Sequence, residues 1–282
     1  MGSLYVVGTP IGNLKDITLR ALETLKDVDI ILCEDTRVSM KFLKHYEINK
    51  KLVSYHKFNE KEKIDYVLKE ISNGKDIALI TDAGMPCISD PGYILINKLK
   101  DENINIYGVG GISASLTALS VSGLPADSFT FYGFFPRETK DIKKLFEEIK
   151  KSFVKTYIFY ESPKRIVKTL EVIYKELGNI KISVSKELTK LYEKNYYGFI
   201  SEVLEKITND SKWDHGEYTF VIYKDFVKGD EKTNLSIEAL LVDKIIKEKC
   251  SLKEAVSLVN KENYNLTRND IYQASLVVKD LF

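Results

Sequence analysis

Apolar positions in the first hundred residues follow two alternating periods. Leu4-Tyr-Val-Val7, Ile30-Ile-Leu32 and Ile77-Ala-Leu-Ile80 are apolar throughout, a further run covers Ile104 to Val109, and Leu52-Val53 begins a shorter one. Between them the apolar residues recur at helical spacing: Thr18 to Lys26 with Leu19, Leu22 and Leu25, then Val38 to His45, then Glu60 to Ser72. Asp16 or Thr18 supplies a cap for the first helix, Asn59 one for the third, and Asn73-Gly74 a stop signal. Asp90-Pro91 reads as an N-cap with proline at the first helical position, opening a helix to about Lys100. Buried strands separated by helices predict a parallel sheet covered on both faces.

The alternation continues beyond a glycine cluster at Gly108-Val-Gly-Gly111. Helices are predicted over Ser113 to Val121 and Thr139 to Lys151, with another starting at Pro163. Strands are predicted over Thr130 to Phe134, Thr156 to Tyr160, Ile182 to Lys186, Tyr192 to Tyr197 and Tyr218 to Tyr223. The pieces at 182–186 and 192–197 have too little between them for a helical crossover, so they are expected to pair antiparallel. The expected fold class is therefore α/β, with a parallel sheet in residues 1–110 and a mixed sheet in 111–225. Asp225 to Thr233 reads as a linker. Residues 234–282 look helical, with candidates at Glu238 to Lys247, Leu252 to Asn260 and Asn269 to Val278.

Composition narrows the function classes. The 282 residues carry 42 basic and 41 acidic side chains, a net charge of +1, so any nucleic-acid surface has to be a local patch. Three cysteines, Cys33, Cys87 and Cys250, form no C-x-x-C pair, and an odd number argues against a disulfide framework. The N-terminus has no basic n-region and no long apolar stretch, and no run approaches a membrane span; a soluble cytoplasmic protein is expected. G-x-G-x-x-G, the P-loop and G-x-S-x-G are all absent. The three histidines are far apart, so no metal site is expected.

The chemistry-bearing residues gather in six segments: Gly8-Thr-Pro-Ile-Gly-Asn13, Cys33-Glu-Asp-Thr-Arg37, Ser54-Tyr-His-Lys-Phe-Asn-Glu60, Thr81 to Gly92, Tyr160-Glu-Ser-Pro-Lys-Arg165 and Lys186-Glu-Leu-Thr-Lys190. Each also has a plain reading as a turn, a cap or a surface ion pair. Five of them follow predicted strands near their carboxyl ends, where α/β folds bind ligands, which predicts one composite site between the two sheets. Ser54 to Glu60 mixes polar, basic and aromatic groups suited to gripping RNA phosphate and stacking a base.

In this order, the segments from Gly8 to Leu22 and at 33–37, 54–60, 82–92, 122–125, 160–165 and 187–190 resemble the bacterial small-subunit rRNA (cytidine-2′-O-)methyltransferase I family. Those enzymes are class III S-adenosylmethionine methyltransferases of tetrapyrrole-methylase fold. The resemblance covers about residues 3–224. More loosely, Leu252-Lys-Glu-Ala255 and Asn269-Asp-Ile-Tyr272 resemble the family's small helical C-terminal domain. It implies two α/β domains with the cofactor S-adenosyl-L-methionine in the cleft between them, a substrate in the decoding region of 16S rRNA, either free or in the 30S subunit, and the homodimer usual for the family. The cofactor positions it implies are Pro10, Asp82, Ala83, Gly84, Met85, Ile88, Ser113, Ala114, Tyr160 with Glu161, Leu188 and Thr189. One departure stands out: Gly110 occupies the place of the proline in the family's usual Pro-Gly-x-Ser-Ala.

A ribose hydroxyl is a poor nucleophile while protonated, so a general base is sought among Glu34, Asp35, Asp90, Glu161 and Lys190. Glu161, Lys190 and Asp35 are favoured, and a lysine needs a depressed pKa to serve. Arg37, His56, Lys57, Lys164 and Arg165 are candidates for holding RNA phosphates. The helical tail is expected either to extend this patch through Lys253, Lys261 and Arg268, or to serve the dimer or cap the fold. Two rival readings stand beside this one: a tetrapyrrole-type small-molecule methyltransferase of the same fold, and a non-enzymatic RNA-binding scaffold.

Overall fold

A computed structural model describes residues 1–224, 236–261 and 266–279. The chain divides into two compact units, Met1–Lys224 and Asp225–Phe282. The linker read at 225–233 lies outside the described residues.

The first unit holds two five-stranded sheets. Its first half runs β1 (Leu4–Val7), α1 (Leu19–Asp27), β2 (Ile30–Cys33), α2 (Thr36–His45), β3 (Lys51–Ser54), α3 (Glu60–Ser72), β4 (Ile77–Leu79), α4 (Tyr93–Asp101) and β5 (Ile106–Val109). The strands lie in the order β3-β2-β4-β1-β5, every pair parallel. β2 and β4 are buried along their whole length, as strands covered on both faces must be. Thr18 caps α1 by accepting from the Ala21 N–H, and a short 3-10 turn at Leu14–Asp16 precedes it.

α4 corrects the sequence reading. It begins at Tyr93 behind Gly92, whose φ is 135°, and not at Asp90-Pro91. Nor does Asn59 cap α3. Its side chain turns back to bond the His56 N–H and the Ser54 carbonyl.

The second half runs α5 (Ala114–Val121), β6 (Phe129–Phe134), α6 (Thr139–Lys151), β7 (Thr156–Glu161), α7 (Ile166–Leu177), β8 (Lys181–Lys186), β9 (Lys194–Phe199), α8 (Ile200–Thr208) and β10 (Tyr218–Tyr223). The order β6-β7-β10-β8-β9 is mixed: β6 pairs parallel with β7, and the other neighbours are antiparallel. β8 and β9 pair antiparallel as their short connection requires. α8 was not foreseen from the sequence. A core of Phe135, Phe146, Tyr157, Phe159 and Phe220 with α6, α7 and α8 covers one face of this sheet.

The second unit is a helical cluster of α9 (Ile237–Glu248), α10 (Leu252–Lys261) and α11 (Arg268–Lys279) around Leu241, Val259, Ile271 and Val278. Among the described residues no helix is long and apolar enough to cross a membrane, and no group of His, Cys, Asp and Glu could hold a metal ion.

Candidate active site

The loops after β1 and β4 are stitched to each other. The Thr9 N–H donates to the Gly84 carbonyl at 2.9 Å, the Gly84 N–H returns to the Thr9 carbonyl at 3.1 Å, and the Thr9 hydroxyl donates to the Thr81 carbonyl. Gly84 takes the left-handed conformation this turn needs, with φ of 85°. From the other sheet, the loop after β8 reaches across: the Lys190 side chain lies over Gly12, where an added Cβ would stand 2.5 Å from the lysine Cγ.

Between the two sheets these loops enclose a cavity of about 390 Å³. One side comes from Ile11, Glu34, Thr81 to Met85 and Ile88 to Asp90; the other from Phe134, Tyr160 to Pro163, Ser185, Leu188 and Glu217 to Thr219; Ser113 and Ala114 sit at the junction. A second hollow shares Ile11, Asp82, Ala83 and Glu217 with it and adds Pro10, Gly12 and Lys190. Of seven non-glycine residues with positive φ among the described residues, Cys87 and Ser89 lie in the loop after β4 and Glu187 and Thr189 in the loop after β8. Such strain persists only where surrounding structure imposes it, and it gathers at ligand sites.

All five charged residues that line the cavity, Glu34, Asp82, Asp90, Glu161 and Glu217, are acidic. Burial pushes Asp90 up to about 6, and Glu34 and Asp82 add to the rise against a hydrogen bond with Thr81 that lowers it. Asp82 is raised by burial and by Asp35, although the Asp35 N–H donates to its Oδ1 at 3.3 Å. Glu34 is raised by burial and by Asp82, with His56 opposing.

The expected cofactor residues Asp82, Ala83, Gly84, Met85, Ile88, Ser113, Ala114, Tyr160 and Leu188 line the cavity together, and Pro10 lines the adjoining hollow. Thr189 lines neither. Its buried Oγ1 has no hydrogen-bond partner, and it sits beside Gly12. Tyr160 is fixed by Ser113 and Ser115 and packs edge-on against Phe131 and Phe134.

The three favoured bases fare differently. Glu161 is buried with both oxygens engaged: Oε1 accepts from the Ser162 N–H at 2.7 Å and pairs with Arg165 at 3.4 Å, and Oε2 accepts from the Thr169 hydroxyl at 2.6 Å. Lys190 contacts Glu187 and Glu217, each at 2.9 Å. Burial pulls its pKa down, but those two carboxylates outweigh it and hold it above the ordinary lysine value. The depressed pKa a lysine base requires is the opposite of what the site imposes. Asp35 lies outside the cavity lining, and its hydrogen bonds to Arg37 lower it to about 2.

The phosphate candidates divide as well. Arg37, whose side chain is 86% exposed, and Lys57 and Lys164 face solvent, with Arg37 paired to Asp35. His56 is half-buried beside Glu34. Arg165 is committed to the fold, donating to the Phe135 and Pro136 carbonyls. Sequence reasoning passed over Phe134, Ser185 and Glu217. None of the three stood out in the sequence: Ser185 shares the strand Lys181-Ile-Ser-Val-Ser-Lys186 with a second serine and two lysines.

The comparisons agree on one family. The model described as Tetrapyrrole (Corrin/Porphyrin) Methylases matches residues 3–204. A "Ribosomal RNA small subunit methyltransferase I" of Mycoplasmopsis pulmonis is 45% identical over 228 residues, covering 79% of this chain and 98% of that protein. The protein of the same name from Buchnera aphidicola is 38% identical over 281 residues, covering 99% of this chain and 97% of that one. Among solved structures, diphthine synthase aligns with a TM-score of 0.59 at 13% identity, covering 79% of this chain and 90% of that one. Uroporphyrin-III-C-methyltransferase from Thermus thermophilus aligns with a TM-score of 0.54 at 16% identity, covering 79% and 95%. These last two are similar in fold alone.

Proposed function

The chain belongs to the tetrapyrrole methylase family and, within it, to the ribosomal RNA small subunit methyltransferase I proteins, and from that premise we propose that it transfers a methyl group from S-adenosylmethionine to the 2′-oxygen of a cytidine ribose in 16S rRNA. The observation that carries this reading is the match to the Buchnera protein, which runs through both sheets and the helical tail. The substrate form is the 30S subunit, its decoding region is the target, and the working state is a cytoplasmic homodimer.

The cavity suits the donor. S-adenosylmethionine is cationic at neutral pH, and every charged residue that lines the cavity is acidic. Ile11, Met85, Ile88 and Leu188 supply apolar surface for a base, and the buried Ser185 Oγ, without a protein partner, is available to it. Pro10, Asp82 to Met85, Ile88, Ser113, Ala114, Tyr160, Leu188 and Thr189 are assigned to holding it. When bound, the donor supplies a methyl group activated by its sulfonium.

What the protein adds is position and a proton acceptor. Holding the ribose oxygen in line supplies much of the rate. The hydroxyl proton is assigned to Asp90, one of the five carboxylates that line the cavity, whose burial raises its pKa to about 6 and still leaves it able to accept at neutral pH. Glu161 and Lys190 act as positioning residues, the first fixing the β7 end through Ser162 and Thr169, the second closing the loop over Gly12. The acidic lining repels phosphate, so the RNA backbone is left to Arg37, Lys57 and Lys164 outside it.

The test is incorporation of labelled methyl from S-adenosylmethionine into 30S subunits lacking the modification, with nucleoside analysis. Label in 2′-O-methylcytidine supports the assignment. Donor binding without label moves the reading to a small-molecule substrate, and loss of donor binding moves it to an RNA-binding scaffold.

A further inference from the structure

Phe58 is 91% exposed, yet the loop that carries it is rigidly built. The His56 N–H donates to Asn59 Oδ1 at 2.8 Å, and Asn59 Nδ2 donates to the Ser54 carbonyl at 3.1 Å. The Asn59 and Glu60 N–H groups both donate to the His56 carbonyl, and the Phe58 N–H donates to His56 Nδ1 at 3.3 Å. Tyr55 anchors the base of the loop, 1% exposed, with its hydroxyl on Glu60. Its N–H donates to the Cys33 carbonyl at 2.8 Å, so the loop stands immediately beside Glu34, which lines the cavity. Among the described residues the one ring set against the phenyl ring is that of His56, edge-on at 6.1 Å.

A fixed loop that holds an apolar ring in water contributes nothing to the core. Its face is free on the side away from His56, with the exposed Lys57 as its neighbour. This combination of a flat apolar face and an adjoining cation matches an unpaired nucleobase and its phosphate.

We propose that Phe58 is a base-stacking residue, which takes an unpaired base flanking the target nucleotide and so sets that nucleotide at the cavity mouth. The inference rests on the rRNA reading above. A polar loop residue would have served solubility better. The stacked base gives the exposed ring its role, and the hydrogen-bonded loop removes the entropic cost of ordering it.

The test is the KM for 30S subunits in Phe58→Ala, Phe58→Leu and Phe58→Trp, alongside the KM for S-adenosylmethionine. Stacking on a protein aromatic is worth enough that Phe58→Ala should raise the 30S KM about five- to a hundredfold. Phe58→Leu should fall with alanine, Phe58→Trp should stay within about twofold of the native protein, and the donor KM should not move. An unchanged 30S KM in Phe58→Ala overturns the proposal, as does Phe58→Leu performing as well as Phe58→Trp. With p-benzoylphenylalanine at position 58, crosslinks should fall on rRNA; crosslinks on a ribosomal protein alone also overturn it. If the native protein itself fails to methylate 30S subunits, the rRNA reading fails and the stacking role falls with it.

Discussion

Gly8 and Gly111 meet backbone to backbone: a Cβ built on Gly111 would stand 2.8 Å from the Gly8 Cα. The contact joins the end of β1 to the connection between the two sheets, and the Gly8 N–H donates to the Val109 carbonyl at 3.0 Å beside it. A Cβ on Gly8 would also press on Met85 Sδ at 2.6 Å, within the cavity wall. These two glycines therefore set how closely the first loop approaches the site.

Gly110, between strand and contact, is different. An added Cβ there meets nothing within 4 Å. Gly8→Ala and Gly111→Ala should each destabilise by about 1–3 kcal/mol, as overpacked sites do. Gly110→Ala should be neutral or stabilise by about 0.4–1 kcal/mol by restricting the unfolded chain. Thermal unfolding of the three variants decides this, and equal losses at all three positions would refute the distinction.

Asp90 should separate activity from stability. Its pKa is raised in the folded protein, to about 6, so the stability it contributes is complete below its unfolded value near 4 and is lost as the pH rises through 6. Asp90→Asn should therefore raise the unfolding midpoint at pH 8 relative to the native protein, with the advantage vanishing near pH 4. The same change should lower kcat by about 10²- to 10⁴-fold and remove the activity limb near pH 6. Unchanged kcat in the variant would shift the base role to another group.

Lys190 should behave as a clamp. Its elevated pKa keeps it an ammonium at neutral pH, bridging Glu187 and Glu217. Lys190→Arg keeps the charge and should retain activity within about fivefold, the range of a partly exposed ion pair. Lys190→Ala should lose more, because Glu187 and Glu217 then face each other unbalanced. Arginine failing as badly as alanine would instead favour a lysine that gives up its proton.

The elements were most legible where pattern and punctuation agreed. Glu60–Ser72 stops at Asn73-Gly74, and Thr139–Lys151 has a long apolar stripe; both helices fall where the sequence places them, although the Asn59 side chain does not cap the first. Ile200–Thr208 was illegible because it starts directly at the end of β9, with no turn between Phe199 and Ile200. Asp90-Pro91 imitates a helix start, but cavity burial claims the aspartate and the helix waits for Gly92. The loops of the site were visible as motifs. The partners that fix its charges were not, because Glu161 meets Thr169, Arg165 meets Phe135, and Lys190 meets Glu217 only through the fold.

Asp210 is the strongest stability prediction. Its side chain is 7% exposed; Oδ2 accepts from the Tyr196 hydroxyl at 2.7 Å and pairs with Lys194 at 3.0 Å and with Lys186 at 3.2 Å. Lys186 is itself buried, donates also to the Lys212 carbonyl, and lies over the Tyr218 ring, which lines the cavity. The Tyr196 hydrogen bond leads the causes that hold Asp210 well below the usual carboxylate range, with the lysines adding to it against burial. A depressed carboxylate stabilises above its unfolded pKa, so this contribution should disappear as the pH falls below about 4. Asp210→Ala leaves a buried ammonium without its counter-charge and should cost about 3–5 kcal/mol in urea unfolding at pH 7. Lys186→Met added to Asp210→Ala should recover part of that loss, because the stranded charge is then gone. Additive losses in the double variant would mean that the two side chains are not coupled.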